Sequence, residues 1–262
     1  MSSSASPQFV HLRVHSEFSL VNGLVRIKPL AKKIEEDSIP AIALTDLSNQ
    51  CAYVKFFKAV RGTGAKPILG ADVFLENDDD EDAPYSMTLI ARNHAGYQNR
   101  MELISKGFTD GQKGGRALIK LEWISDAAEG LIALSGGRNG DVGRALLNGK
   151  TELAKQRAEH WMRIFPNSYY LELQRTKRTG EEECLHASVV LSQALDCPVV
   201  ATNDVHFLAR EDFDAHEARV CISDGETLDD PRRERRFSEE QYLKSSDEMV
   251  ELFRDIPEAI EH

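Results

Sequence analysis

No stretch of this sequence is apolar for long enough to cross a bilayer. The Ser-rich start, Met1 to Gln8, lacks the apolar centre of a secretory signal. Cysteine is scarce: Cys51, Cys184, Cys197 and Cys221 have no zinc-finger spacing and are too few for a disulfide framework in a chain this long. Positive charge is also short, with 32 Lys and Arg against 43 Asp and Glu, a net charge of −11. Duplex DNA is held by neutralising its phosphates, so this balance argues against a chain-wide DNA-binding surface and leaves room only for a local basic patch. Together these absences predict a cytoplasmic chain with no membrane contact.

What is present is a core-forming composition. Hydrophobic residues make up 41% of 262 positions, enough for one large domain or two small ones. The residue pattern predicts strands at Phe9–Val14, Ala41–Asp46, Lys66–Phe74, Met87–Ala91, Gly130–Gly137, Tyr169–Leu173 and Pro198–Thr202. Helical spacing falls between them, at 25–37, 50–60, 96–106, 118–127, 142–147, 152–164, 181–195, 209–222 and 247–254. The acidic run Glu76–Asp82 and the Gly-rich run Gly107–Gly115 read as loops. Strands alternating with helices predict an α/β fold with parallel pairing through right-handed crossovers. Seven such strands suggest a barrel rather than a small doubly wound sheet. The helical pattern at Glu258–His262 is still running where the sequence stops, so a longer parent protein is expected.

The densest signal is Val199-Val200-Ala201-Thr202 running into Asn203-Asp204-Val205-His206. Small and β-branched residues predict a buried strand, and Asp204 and His206 would face one way on an extended chain. An acid and an imidazole there suit a metal or a reacting water; the plainer alternative is a strand followed by a capped helix. His15, Asp46, Asp72, Asp204 and His206 all fall at predicted strand ends, where barrel enzymes place their chemistry. That donor set suits zinc, manganese or iron, and two or three such ions could activate water against a phosphodiester. Elsewhere, His11 reads as a hydrogen-bonded core histidine, and His94, His160, His186 and His216 as surface or packing residues. Glu172 is open between lining the pocket and not. The Arg232–Arg236 cluster is open between touching phosphate and a solvated or intramolecular contact.

Six motifs occur in order: His11-Leu12-Arg13-Val14-His15-Ser16, Leu44-Thr45-Asp46, Lys66-Pro67-Ile68-Leu69-Gly70-Ala71-Asp72, Gly96-Tyr97-Gln98-Asn99, Leu134-Ser135-Gly136-Gly137 and Ala201-Thr202-Asn203-Asp204-Val205-His206. In this set the chain resembles the PHP (polymerase and histidinol phosphatase) domains at the N-terminus of bacterial DNA polymerase III alpha subunits, in their proteobacterial form. The resemblance runs from Phe9 to the end. It implies a disordered tail at 1–8 and one PHP domain over 9–262. The fold implied is a distorted seven-stranded (β/α) barrel, and active members hold three divalent metals through about nine ligands and hydrolyse phosphoesters.

Carried over by resemblance, His15, Asp46, Asp204 and His206 match ligand positions, and Asp72 stands where the family usually has a longer Glu. Four further positions depart from the pattern: Arg13, Leu47, Ser86 and Gly137 stand where active members have ligands. Leucine and glycine donate nothing, and a guanidinium is a fixed cation that repels a metal. The expectation is a vestigial site with no full complement of cofactor, a residual Mn, Zn or Mg ion at most, and Arg13 supplying charge in place of metal. By resemblance, the parent chain would be a DNA-directed DNA polymerase using Mg²⁺. This domain would brace the polymerase body, dock the proofreading exonuclease subunit, and meet other replicase subunits and DNA through the parent chain. The rival expectations are a live metal-dependent 3′–5′ exonuclease or phosphoesterase, and a DNA-binding module.

Overall fold

A computed structural model describes residues 9–77, 80, 82–230 and 232–261. The tail expected at 1–8, and part of the acidic run at 76–82, lie outside the described residues. The core of the fold is a mixed eight-stranded sheet. Its strands are β1 (Ala41–Leu44), β2 (Lys66–Leu75), β3 (Tyr85–Ala91), β4 (Gln112–Lys113), β5 (Arg116–Ile119), β6 (Leu131–Leu134), β7 (Tyr169–Gln174) and β8 (Val199–Thr202). Along the sheet the order is β4-β5-β2-β3-β6-β7-β8, with β1 on the first half of β2. Ten α-helices are described, of which α1 (Ile27–Glu36), α2 (Tyr53–Gly62), α3 (His94–Thr109), α4 (Leu121–Asp126), α5 (Asp141–Leu147), α6 (Thr151–Ile164), α7 (Glu181–Leu195), α8 (Phe213–Asp224) and α9 (Ser246–Leu252) follow the expected helical stretches closely. The tenth is the short turn α10 (Glu258–Glu261).

Pairing is not uniformly parallel, which corrects the expectation. β1 with β2, β6 with β7, and β7 with β8 are parallel, but β3 runs antiparallel to both β2 and β6. The chain between Leu75 and Tyr85 is too short to carry a crossover helix, so β3 can only return alongside β2. A second correction concerns 107–115. Helix α3 runs to Thr109, and β4 and β5 then form a hairpin whose turn is Gly114-Gly115, both at positive φ (56° and 76°). Two consecutive positive φ values are what a two-residue hairpin turn demands, and glycine adopts them without strain.

The first expected strand, Phe9–Val14, makes only isolated bridges. It still closes the architecture. Ala43 and Thr45 donate their amides to the carbonyls of His11 and Val14 on one side. On the other side the amide of Val205 donates to the Arg13 carbonyl, and the amide of His15 to the Val205 carbonyl. The segment thus stitches β1 to the chain leaving β8, joining the two ends of the sheet into a distorted ring. Helices pack outside. Trp161, Phe165 and Tyr169 centre the larger apolar cluster, and Leu30, Ile34, Phe56 and Val60 seat α1 and α2 against β1. Parallel strands covered in this way put Asp72, Glu172 and Asp204 at the same end of the ring.

Candidate functional site

Strand β8 delivers the Asn-Asp-x-His segment, but not on an extended chain. Asp204 has φ 49°, a left-handed turn that Asp tolerates better than most residues. Asn203 holds that turn by donating from Nδ2 to the carbonyls of Glu240 and Tyr242 (3.0 and 2.7 Å). The turn, not strand alternation, brings Asp204 and His206 together. The two imidazoles stack, with ring centroids of His15 and His206 4.5 Å apart and planes 4° from parallel. Asp204 Oδ1 lies 3.3 Å from Nε2 of each. His206 turns its other nitrogen, Nδ1, to the carbonyl of Asn22.

Arg13 occupies the centre. Its Nε donates to Asp72 Oδ2 at 2.7 Å, Nη1 reaches Glu172 Oε1 at 3.2 Å, and Nε lies 3.2 Å from Asp204 Oδ1. The guanidinium is buried, as are all three carboxylates. A second guanidinium, Arg178, donates from Nη1 to Asp204 Oδ2 at 2.9 Å and from Nη2 to Gln174 Oε1 at 2.8 Å. Gln241 adds a 3.0 Å bond to the same Asp204 oxygen, and Gln174 donates to Glu172 Oε1 at 2.9 Å. Burial opposes ionisation of Asp72 and Asp204, yet the Arg13 guanidinium outweighs it and holds both below the usual carboxylate range.

The structure therefore draws together His15, Asp72, Asp204 and His206, and sets Asp46 apart. Asp46 accepts from Ser16 N and Ser16 Oγ, both at 2.7 Å, and from Ser19 Oγ at 2.6 Å. It is a buttress that positions the 15–19 turn. Leu47 and Ser86 line the cavity beside Arg13. Gly137 stands at φ 54°, where an added Cβ would come within 3.0 Å of Gln174 Oε1. Glu172 proves to be a partner of Arg13. Gln174 and Arg178 carry no signal in the sequence beyond their place after a predicted strand, and Gln241 carries none. The cavity, about 960 Å³, is roofed by the 233–237 loop. There Arg233 pairs with Glu217 at 2.5 Å, Arg236 pairs with Asp224, and Phe237 packs edge-on against His206 and His216. Of the alternatives open for the basic cluster, Arg233 and Arg236 make intramolecular contacts.

His15, Asp204 and His206 offer ligand atoms within 4.8 Å of one another, enough for one ion. That ion would share Asp204 Oδ1 with the Arg13 cation 3.2 Å away. Leu47 and Gly137 offer no side-chain donor for further ions. The residues present do not fit a multinuclear cluster.

The two histidines divide charge between them. Burial disfavours the His15 cation, but Asp72 and Asp204 overcome this and raise its pKa to about 9. Burial and the neighbouring His15 lower that of His206. His11, donating through Nε2 to the Lys244 carbonyl at 2.8 Å, is pushed down by burial to about 4. These shifts predict a stability maximum near pH 6.5, the ordinary histidine value. Below it the unfolded chain binds a proton that folded His11 refuses until about pH 4, so stability falls as pH falls. Above it folded His15 keeps a proton the unfolded chain has lost, so stability falls as pH rises through about 9. Urea midpoints across this range check the shape, and His15→Asn should flatten the alkaline limb. An unchanged alkaline limb in that variant would remove His15 as its source.

A distorted ring of strands with helices packed outside and acids and imidazoles at one end is a barrel-like α/β domain, and residues 11–176 match the PHP domain family; the chain belongs to it. Within that family the chain is homologous to DNA polymerase III alpha subunits of proteobacteria. It is 54% identical over 255 residues to that of Pseudomonas aeruginosa and 50% identical over 256 residues to that of Escherichia coli K12. Those matches cover 97% and 98% of this chain, which spans 22% of each relative's length. Among solved structures, an amidohydrolase from Chromobacterium violaceum shares the fold, with a TM-score of 0.50 at 10% identity over 80% of this chain and 96% of that one. Among the described residues no helix is long and apolar enough to cross a membrane.

Proposed function

We propose that this chain is the PHP domain of a replicative DNA polymerase alpha subunit whose metal centre has been replaced by an arginine-centred ion-pair network. It works as a scaffold, bracing the polymerase body and docking the proofreading exonuclease subunit, and does not itself hydrolyse phosphodiesters. The parent chain is a cytoplasmic DNA-directed DNA polymerase that uses Mg²⁺ elsewhere in its length and meets DNA and other replicase subunits there. The observation that carries this reading is the Arg13 guanidinium, buried within 3.2 Å of Asp72, Glu172 and Asp204. A fixed cation at that point neutralises the acids, as bound metal would, without offering the Lewis acidity or the metal-bound hydroxide that hydrolysis needs.

The test is an assay of the purified protein with single-stranded DNA, a phosphomonoester and pyrophosphate, each with Mn²⁺. No turnover above the Asp204→Asn variant is expected. Turnover that vanishes in Asp204→Asn and His206→Ala would instead establish the metal-dependent exonuclease or phosphoesterase. Docking is tested separately, by retention of the exonuclease subunit on the immobilised polymerase chain.

A further inference from the structure

The end of the ring opposite Arg13 is open and apolar. The site acids stand at or beyond strand ends. The other mouth is formed where β2, β6, β7 and β8 begin and antiparallel β3 finishes. Leu12, Ile68, Ile90, Ile132, Tyr170 and Val200 project into it and line a well of about 460 Å³. That volume is within the range of sites that take a ligand, and a lining of this kind rewards apolar occupancy.

Its rim carries one sign of charge. Lys66 and Arg92 are exposed there, and no Asp or Glu lines the well, in a chain whose net charge is −11. Behind the wall formed by Tyr97, the buried guanidinium of Arg100 stacks on Tyr53 and Tyr97 at 5.2 and 5.8 Å. It donates through Nη1 to the Leu69 carbonyl, while its Nε and Nη2 have no hydrogen-bond partner among the described residues. From the rim an apolar strip continues onto α2. Phe57, 41% exposed, belongs to the lining, and Val54, 69% exposed, lies one turn away on the same helix. A small amphiphile would fill the well and leave that strip bare, whereas an extended polypeptide covers both.

We infer that this well is a docking socket for a partner polypeptide that inserts one or two large apolar side chains and flanks them with Asp or Glu. The apolar anchors would supply affinity and the carboxylates would read Lys66 and Arg92, setting orientation and association rate. This rests on the docking reading above and gives it a place on the molecule.

The test titrates labelled exonuclease subunit into the full-length polymerase chain, as wild type and as variants. Lys66→Glu/Arg92→Glu changes exposed side chains only, so folding is preserved. Binding should weaken by about tenfold and lose most of its salt dependence. Ile132→Glu, placing an unpaired carboxylate in the well, should weaken binding by about a hundredfold or more. A melting curve accompanies each variant, and if Ile132→Glu is unstable the rim pair decides. Wild-type binding with an unchanged rim variant would overturn the socket and leave docking intact. Failure of the wild-type chain to bind would remove the docking reading itself. A rim variant that lowers the melting temperature without altering exonuclease affinity would mean the polymerase body covers the well, and would also overturn the proposal.

Discussion

Arg13→Ala is expected to cost about 3–5 kcal/mol of stability, the largest loss from any single change at the site. The side chain itself is not the main reason. Removing it leaves Asp72, Glu172 and Asp204 buried at one end of a ring, with the Arg13 contacts of 2.7 to 3.2 Å gone. Like charges there repel, and burial disfavours each of them. Arg178 and Gln241 still serve Asp204, and Gln174 still serves Glu172, but among the described residues Asp72 keeps only His15 as a cationic neighbour. The melting temperature should fall by about 10 °C. The loss should shrink as pH falls, because the carboxylates freed from Arg13 take up protons more readily in the folded variant than in wild type. Arg13→Lys should recover only part of the loss, since an ammonium cannot span separate carboxylates with a planar fork. A loss below about 1 kcal/mol, constant with pH, would make Arg13 a bystander and remove the basis for the scaffold reading.

How much of this was legible in the sequence depends on the range of the contact. Helix α7 lies at 181–195 as expected, because its opening Glu181-Glu182-Glu183 and its apolar spacing are local. The departures at Arg13, Leu47, Ser86 and Gly137 are expectations from the resemblance, and the structure shows only that Arg13, Leu47 and Ser86 line the cavity. That Arg13 would supply positive charge among the acids follows from the resemblance, but which acids it would pair with does not: it meets Asp72, Glu172 and Asp204 and leaves Asp46 aside. Arg178 and Gln241 were not legible: they reach Asp204 from 26 and 37 residues away, and nothing local marks a side chain for such a contact. The antiparallel β3 runs against the expected parallel pairing, although the short link to β2 leaves no room for a crossover. The Gly114-Gly115 turn reads as a loop in the sequence although a glycine pair is among those favoured in two-residue hairpin turns. Asp46 illustrates a different limit. Its type and position fit a ligand, and only the placement of Ser16 and Ser19 reveals that its oxygens are already taken.

The same geometry predicts how far a metal site can be built into this pocket. Gly137 is the least recoverable position. Its backbone is left-handed, a side chain there would crowd Gln174, and neighbouring Gly140 leaves no room at all, since a Cβ would fall 1.7 Å from the Ser135 carbonyl oxygen. That turn requires glycine. Positions 13 and 47 are different, since both side chains face the cavity on backbone that needs no change. The double exchange Arg13→His/Leu47→His removes the repelling cation and adds two imidazoles to His15, Asp72, Asp204 and His206. In metal-free buffer it should be less stable than wild type, for the reasons that make Arg13→Ala unstable. With Zn²⁺ at a hundred times its dissociation constant it should gain about 2.7 kcal/mol, while wild type gains little under the same conditions. Calorimetry with and without chelator reads both effects, and bound zinc per chain gives the stoichiometry. Equal stabilisation of wild type and variant would show that Arg13 does not exclude the ion. A variant that binds no zinc would show that the lack of ligand side chains at Gly137 and Ser86, and not the guanidinium alone, keeps metal from this site.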